Sequence, residues 1–303
     1  MRISRSSSKW SCLPRRTIKF VLQVTANYYC RYRVRSSARL KNLKYHRHKP
    51  KGVSMNHVAD VVDYLTPRTS WEKNVTATRW GKYISDVEQR LILQGHELAG
   101  TPAKAIEIGI GGGRWGRMLS DLGWQITGTD IDTESLSVCQ ERIPDADCIC
   151  VEPGSQEFPS HSESVRLLLG IEVSEMLECD WFIQEAQRVL EPGGVFVGVF
   201  QNRSSLGGLL KNWFPTKGDP NAHAHYKESY APWRRKMTQH GFQMIEEEGL
   251  CWLPFFSRDS DSRLIPAAVA VEKWSGLRKM ASLSPWIVFI AQKFNDLQHK
   301  SSI

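Results

Sequence analysis

The chain has 303 residues, 41% hydrophobic and 24% charged, enough to bury a full core in one large domain or two small ones. No apolar run approaches the roughly 18 residues of a membrane span, and seven cysteines without a C-x-x-C pair speak for a reducing compartment rather than a disulfide scaffold. The net charge of +8 is unevenly held: residues 1–59 carry 15 Lys and Arg and no acid, which leaves the rest with 25 basic and 32 acidic residues, net −7.

Residues 1–54 are rich in Arg, Lys and Ser and lack sustained periodicity, so they are expected to be disordered. Four readings stay open: a segment outside the working protein, with Met55 as the true start; an organelle transit peptide; a basic arm for nucleic acid or an anionic membrane surface; or a solvated tail. The domain is expected over 55–303. Trp80, Ile84, Val87 and Leu91 recur at helical spacing, predicting an amphipathic helix within Thr76–Leu98. Trp71, Trp80 and Tyr83 form its aromatic end, read as core packing before ligand contact.

Lys104 to Asp132 is the most informative stretch. Ala105–Ile108 is a short apolar strand, and Gly109, Gly111, Gly112 and Gly113 form a turn where a ligand could approach the backbone. Trp115, Met118, Leu119 and Leu122 continue as a helix whose free N–H groups face that turn. A second strand, Trp124–Thr129, ends on Asp130, placed to accept hydrogen bonds from a ribose diol. Two glycine patterns overlap. Gly111, Gly113 and Gly116 fit the dinucleotide spacing G-x-G-x-x-G, but Gly111 lies three residues past the strand. Gly109, Gly111 and Gly113 fit G-x-G-x-G, with Glu107 two residues ahead, and this pattern is preferred.

Further on, Glu134–Arg142 reads as a helix stopped by Pro144, and Asp147–Val151 as a third strand on which Cys148 and Cys150 share a face, in a buried apolar role rather than as metal ligands. Val165–Ile171 reads as a buried strand, Trp181–Leu190 as a helix capped by Asp180 and broken by Pro192-Gly193-Gly194, and Val195–Phe200 as a fifth strand. Strands alternating with helices predict parallel crossovers in a doubly wound α/β sheet.

The pattern E-x-G-x-G-x-G, the acid Asp130, LLLGIEVSEML (Leu167–Leu177) and RVLEPGGVFVGVF (Arg188–Phe200) occur in the order found in class I S-adenosylmethionine (SAM)-dependent methyltransferases, and residues 105–200 resemble that family. The resemblance implies a Rossmann-like, mostly parallel seven-stranded sheet with helices on both faces. It also implies SAM as cofactor, with contacts from Glu107, Gly109, Gly111, Gly113, Asp130, Ile131, Glu152 and Glu172. Glu152 stands where the family often has Asp, and Met176 where it often has His. No D-P-P-Y or N-P-P-Y follows strand four, which weighs against methylation of nucleobase or amide nitrogen.

Insertions over about 201–230 and 251–284 are expected to form a substrate lid, the first with an exposed glycine-bearing loop. His223, His225 and Tyr226 are the candidate catalytic residues there, and no thiol or carboxylate completes a metal site around the two histidines. A helix over about Ala231–His240, strand six at Phe242–Glu246 and an antiparallel strand seven at Trp286–Lys293 complete the chain. The expected protein is a cytoplasmic SAM-dependent methyltransferase acting on a small molecule, or an organellar one if residues 1–54 are a transit peptide. The alternatives are an RNA or protein methyltransferase docking through the basic segment, a non-catalytic SAM-fold module, and an NAD-dependent oxidoreductase.

Overall fold

The computed structural model describes residues 67–213, 227–252 and 261–294. Its centre is a seven-stranded sheet in the order β3-β2-β1-β4-β5-β7-β6. The strands are β1 (Lys104–Ile108), β2 (Gln125–Asp130), β3 (Asp147–Cys150), β4 (Val165–Gly170), β5 (Leu190–Gln201), β6 (Phe242–Leu250) and β7 (Trp286–Lys293). The first five run parallel, and β7 runs antiparallel between β5 and β6. The α/β class and the doubly wound, mostly parallel sheet are therefore as the sequence predicts. The antiparallel β7 also departs from the 3-2-1-4-5-6 order of dinucleotide-binding sheets.

Both faces of the central strands are apolar because both are covered. Leu167, Leu169, Val195 and Val197 face one way, under α2 (Arg79–Ala99), α3 (Arg114–Asp121) and α4 (Thr133–Arg142). Leu168, Phe196, Phe200 and Phe289 face the other way, under α6 (Asp180–Val189) and α8 (Tyr230–Gln239). Trp80 and Tyr83 are buried, with Trp80 edge-on to Trp286 at 5.3 Å, so they are core residues; the Trp71 side chain lies outside those described.

Several boundaries differ from expectation. The first helix is two: α1 (Ser70–Ala77) ends at Thr78, whose hydroxyl caps α2 by accepting from Gly81 N at 3.0 Å. Asp180 does not cap α6. It lies inside the first turn and accepts from Lys236 Nζ at 2.8 Å. Pro192-Gly193-Gly194 does not end a helix short of β5 but lies within that strand, at a register shift opposite Val165 and Leu167. β6 continues four residues past Glu246 by means of a bulge at Ile245. Cys150 is exposed rather than buried, while the Cys148 thiol meets that of Cys139 at 3.2 Å. The expected glycine loop after β5 is a helix, α7 (Leu206–Trp213), in which a side chain at Gly208 would meet Asn202 O at 2.5 Å. A further helix, α9 (Ile265–Trp274), and two 3₁₀ turns (Leu277–Lys279 and Ala281–Leu283) occupy the second insertion, and α5 (Ser174–Leu177) follows β4.

Asn202, fully buried at the carboxyl end of β5, ties these late elements together. Its Nδ2 donates to Ser282 O (2.9 Å) and Ser284 O (3.1 Å), its Oδ1 accepts from Ser204 N (3.1 Å) and Tyr230 N (3.0 Å), and its backbone N–H reaches Pro285 O (2.9 Å). Replacing Asn202 by Ala strands buried donors and acceptors and is expected to cost about 3–4 kcal/mol in urea unfolding. Asn202→Asp is expected to lose a similar amount, because a carboxylate cannot donate to two carbonyls. Wild-type stability in the Asp variant would refute this role.

Candidate functional site

The carboxyl ends of the parallel strands meet along one edge, and the first turn there is set by β1. Gly109 turns left-handed (φ 71°), and its N–H and that of Ile110 both donate to Thr129 O, at 2.8 and 3.0 Å. A side chain at Gly109 would lie 2.4 Å from Val173. Gly111 is also left-handed (φ 52°), yet a side chain there would meet nothing within 4 Å. The turn is packed below and open above, which is the shape of a cradle against which a ligand can lie. Gly113 is the N-cap residue of α3, left-handed (φ 74°) and without a capping side chain, so the helix begins directly at the turn.

Asp130 fastens the turn from the neighbouring strand. Gly111 N donates to its Oδ2 at 2.9 Å and Asp132 N to its Oδ1 at 3.0 Å. With the N–H of Ile131 also acting on it, three backbone donors leave the carboxylate about one of its four acceptor positions for a ligand hydroxyl. Burial raises its pKa, opposed by the backbone N–H groups of Asp132, Gly111 and Ile131. Ile131 presents an exposed apolar side chain beside it. Asp132, which sequence reasoning passed over, is the N-cap of α4, accepting from Ser135 Oγ at 2.6 Å.

Glu107 is buried under the turn, and burial pushes its pKa up to about 8, against a hydrogen bond from Gly116 N–H and reinforced by the charges of Asp130 and Glu72. Glu72, on α1, forms a two-pronged pair with the fully buried Arg142 at 2.8 and 2.9 Å, and Arg142 also donates to Gly112 O at 2.7 Å. This clamp holds α1 against the glycine turn across 70 residues of sequence. No local spacing signals it. Glu152 is exposed just past β3, where Val151 N donates to Asp130 O at 3.0 Å, and Glu172 follows β4 in a left-handed conformation (φ 58°).

The structure thus brings Glu107, Gly109, Gly111, Gly113, Asp130, Ile131, Glu152 and Glu172 to adjoining strand ends of one edge. His223, His225 and Tyr226 lie outside the described residues. Sequence reasoning missed Glu178, a buried carboxyl after α5 that burial pushes up to about 8, with the Lys227 ammonium pulling the other way.

Residues 106–198 match the family described as "Methyltransferase domain". A curated protein of Mycolicibacterium smegmatis, described as a probable S-adenosylmethionine-dependent methyltransferase, is 31% identical over 126 residues, covering 41% of this chain and 46% of that protein. The match therefore spans less than half the length of that relative. Geranyl diphosphate C-methyltransferase from Streptomyces coelicolor A3(2), solved with Mg2+, geranyl-S-thiolodiphosphate and S-adenosyl-L-homocysteine, shares the fold at a TM-score of 0.51. It is 16% identical, with 76% of this chain and 84% of that one covered. The same enzyme with geranyl diphosphate gives 17%, 76%, 87% and a TM-score of 0.51. The glycine turn, the acid at the end of β2, the strand order and these matches agree: the domain over residues 106–198 is a methyltransferase domain of the class I SAM-dependent family.

Proposed function

We propose that this chain is a SAM-dependent methyltransferase acting on a small-molecule acceptor. The observation that carries this reading is the pairing of the open Gly111 turn with Asp130, a cradle and a ribose acceptor fixed to each other by a 2.9 Å hydrogen bond. When bound, SAM supplies an electrophilic methyl group on its sulfonium. Gly109, Gly111 and Gly113 would receive its methionine portion, Asp130 its ribose, and Ile131 with Glu152 would flank its adenine. Glu107 and Glu172 would add negative potential from below and beside. The chain's remaining work is to hold the acceptor in line and keep water out, and positioning of this kind is worth roughly 7–11 kcal/mol at best. His223, His225 and Tyr226 remain the candidates for taking a proton from the acceptor.

The charge around the turn favours this cofactor over a dinucleotide. The charges of Asp130 and Glu72 act on Glu107 there, with Arg114 a lesser opposing influence, and Arg142 is committed to Glu72 and Gly112. An anionic pyrophosphate would face carboxyl groups, whereas a sulfonium and an ammonium would be welcomed. The net −7 of residues 60–303 likewise favours a small acceptor over a nucleic-acid backbone. A reducing, cytoplasmic setting is part of this reading, resting on seven cysteines without a C-x-x-C pair.

Calorimetric titration of the full chain with SAM and S-adenosylhomocysteine tests the cofactor. Micromolar binding is expected, weakened about 10- to 100-fold by Asp130→Ala, the worth of hydrogen bonds to a charged group. A folded protein that binds neither ligand would end this reading. Glu107 gives a second test. Its folded pKa of about 8 exceeds the ordinary 4.5, so between those values the folded protein keeps a proton that the unfolded chain releases. Stability contributed by this group therefore falls as pH rises from about 4.5 to about 8 and levels off above it. Glu107→Gln should gain stability over the wild type progressively across that window. A cationic cofactor should also draw the proton off, so the SAM binding enthalpy near neutral pH should depend on buffer ionisation heat in the wild type and not in Glu107→Gln. Identical buffer dependence in both would refute this role.

A further inference from the structure

We propose that the face formed by α9 and the two 3₁₀ turns docks on an anionic phospholipid surface. On α9, Ile265, Ala268 and Glu272 turn inward and are buried. Leu264, just before the helix, and Val271 and Trp274 on it follow at helical spacing along an adjoining, outer stripe. Trp274 is 92% exposed, and Leu264, Val271, Met280 and Leu283 are each between 46% and 55% exposed. Such an exposed apolar patch has a partner to meet, and a solvent-exposed Trp among aliphatic side chains is the residue pattern of a membrane–water boundary.

The charges select the partner. Residues 262–285 contain a single acid, Glu272, and it is fully buried, accepting from Tyr83 OH at 2.6 Å and Trp252 N at 2.9 Å. The exposed charges of this stretch are Arg263, Lys273 and Lys279, all positive, on a body of net −7. Arg278 is spent internally on Glu248 at 2.5 Å. Asp261, just ahead of the stretch, pairs with Arg79, and Asp86 on α2 feels the charges of Lys273 and Lys82. Among the described residues the rim of this apolar face nonetheless keeps an excess of cations, which complements anionic lipid headgroups above an apolar interior. Among the described residues no helix is long and apolar enough to cross a membrane, so contact would be with the surface.

The face adjoins the carboxyl edge of the sheet. Asn202, at the end of β5, holds Ser282 and Ser284 on either side of Leu283. A Cβ at Gly207 on α7 would lie 3.2 Å from Pro285, which brings the exposed Leu206 beside the same turns. Docking here would set the mouth of the site against the lipid surface. The inference does not depend on the cofactor, because vesicle binding requires neither SAM nor turnover.

The test is co-sedimentation of the full chain with vesicles of phosphatidylcholine alone and of phosphatidylcholine mixed with phosphatidylserine. Binding to the mixed vesicles is expected. Val271→Ser with Trp274→Ser should weaken it about tenfold or more, and Lys273→Gln with Lys279→Gln about fivefold per lysine, the second loss vanishing at high salt. Equal vesicle binding by all variants would place lipid affinity elsewhere on the chain and overturn the proposal, as would no binding by the folded wild type. A lower melting midpoint in the Val271→Ser, Trp274→Ser variant would show that the chain itself covers the face. A dimer lost in that variant would assign it to a second copy. Either result overturns the proposal.

Discussion

Asp130 fixes more than any other side chain at the carboxyl edge. Its two oxygens take the N–H groups of Gly111 and Asp132, and its backbone carbonyl takes Val151 N. One residue thus sets the relative positions of the turn after β1, the loop before α4 and the end of β3. With the N–H of Ile131 also acting on it, the carboxylate keeps about one further acceptor position. A carboxylate free to rotate would lose side-chain entropy on meeting a diol. Here the fold has already spent that entropy, so the site is preorganised by hydrogen bonds that also hold the sheet edge together.

The turn's surroundings are electrostatically unbalanced. Arg142 neutralises Glu72, but the Arg114 charge is only the least of the influences on Glu107 beneath the turn, and that proton is retained to about 8 instead. Breaking the Glu72–Arg142 pair would leave an uncompensated buried charge beside the same turn, which is why the pair reads as a device for geometry more than for stability. It lets α1 lie against Gly112, where a Cβ would come within 2.5 Å of Thr69 and 2.7 Å of Glu72. A cationic ligand relieves this imbalance, and an anionic one worsens it.

The parts of the fold legible in the sequence are those governed by short-range rules. The continuous apolar run of β4, the glycines after Ile108, and the antiparallel β7 were read from hydrophobic patterning, turn chemistry and family order. The misread parts depended on distant partners. Thr78 breaks the first helix because its hydroxyl caps the second, and Gly81 is required because a Cβ there would lie 1.5 Å from Val75 O. Asp180 had the composition of a cap but bonds Lys236, 56 residues away. Gly207 and Gly208 suggested a loop, yet Gly208 serves a helix pressed onto Asn202 O. The candidate cofactor residues could be named together because they cluster in one turn and at strand tips. Glu72, Arg142 and Asn202 were not recognised, because their meaning lies in contacts that span tens of residues.

The carboxyl edge therefore has two halves with different physics. Over β1, β2 and β3 it is held by backbone donors converging on one carboxylate. Over β5 and β7 it is held by one amide, Asn202, whose donors and acceptors are all satisfied by backbone. An amide suits that place because it can give and accept at once, and a charge there would need a counter-charge the site lacks. The first half is fixed by what a cofactor demands. The second half only has to hold α7, α8 and the 3₁₀ turns at the mouth, and its outer side chains are free to suit whatever the mouth faces. Among the described residues the exposed apolar side chains concentrate on that second half, where the fold places no inward demand on them.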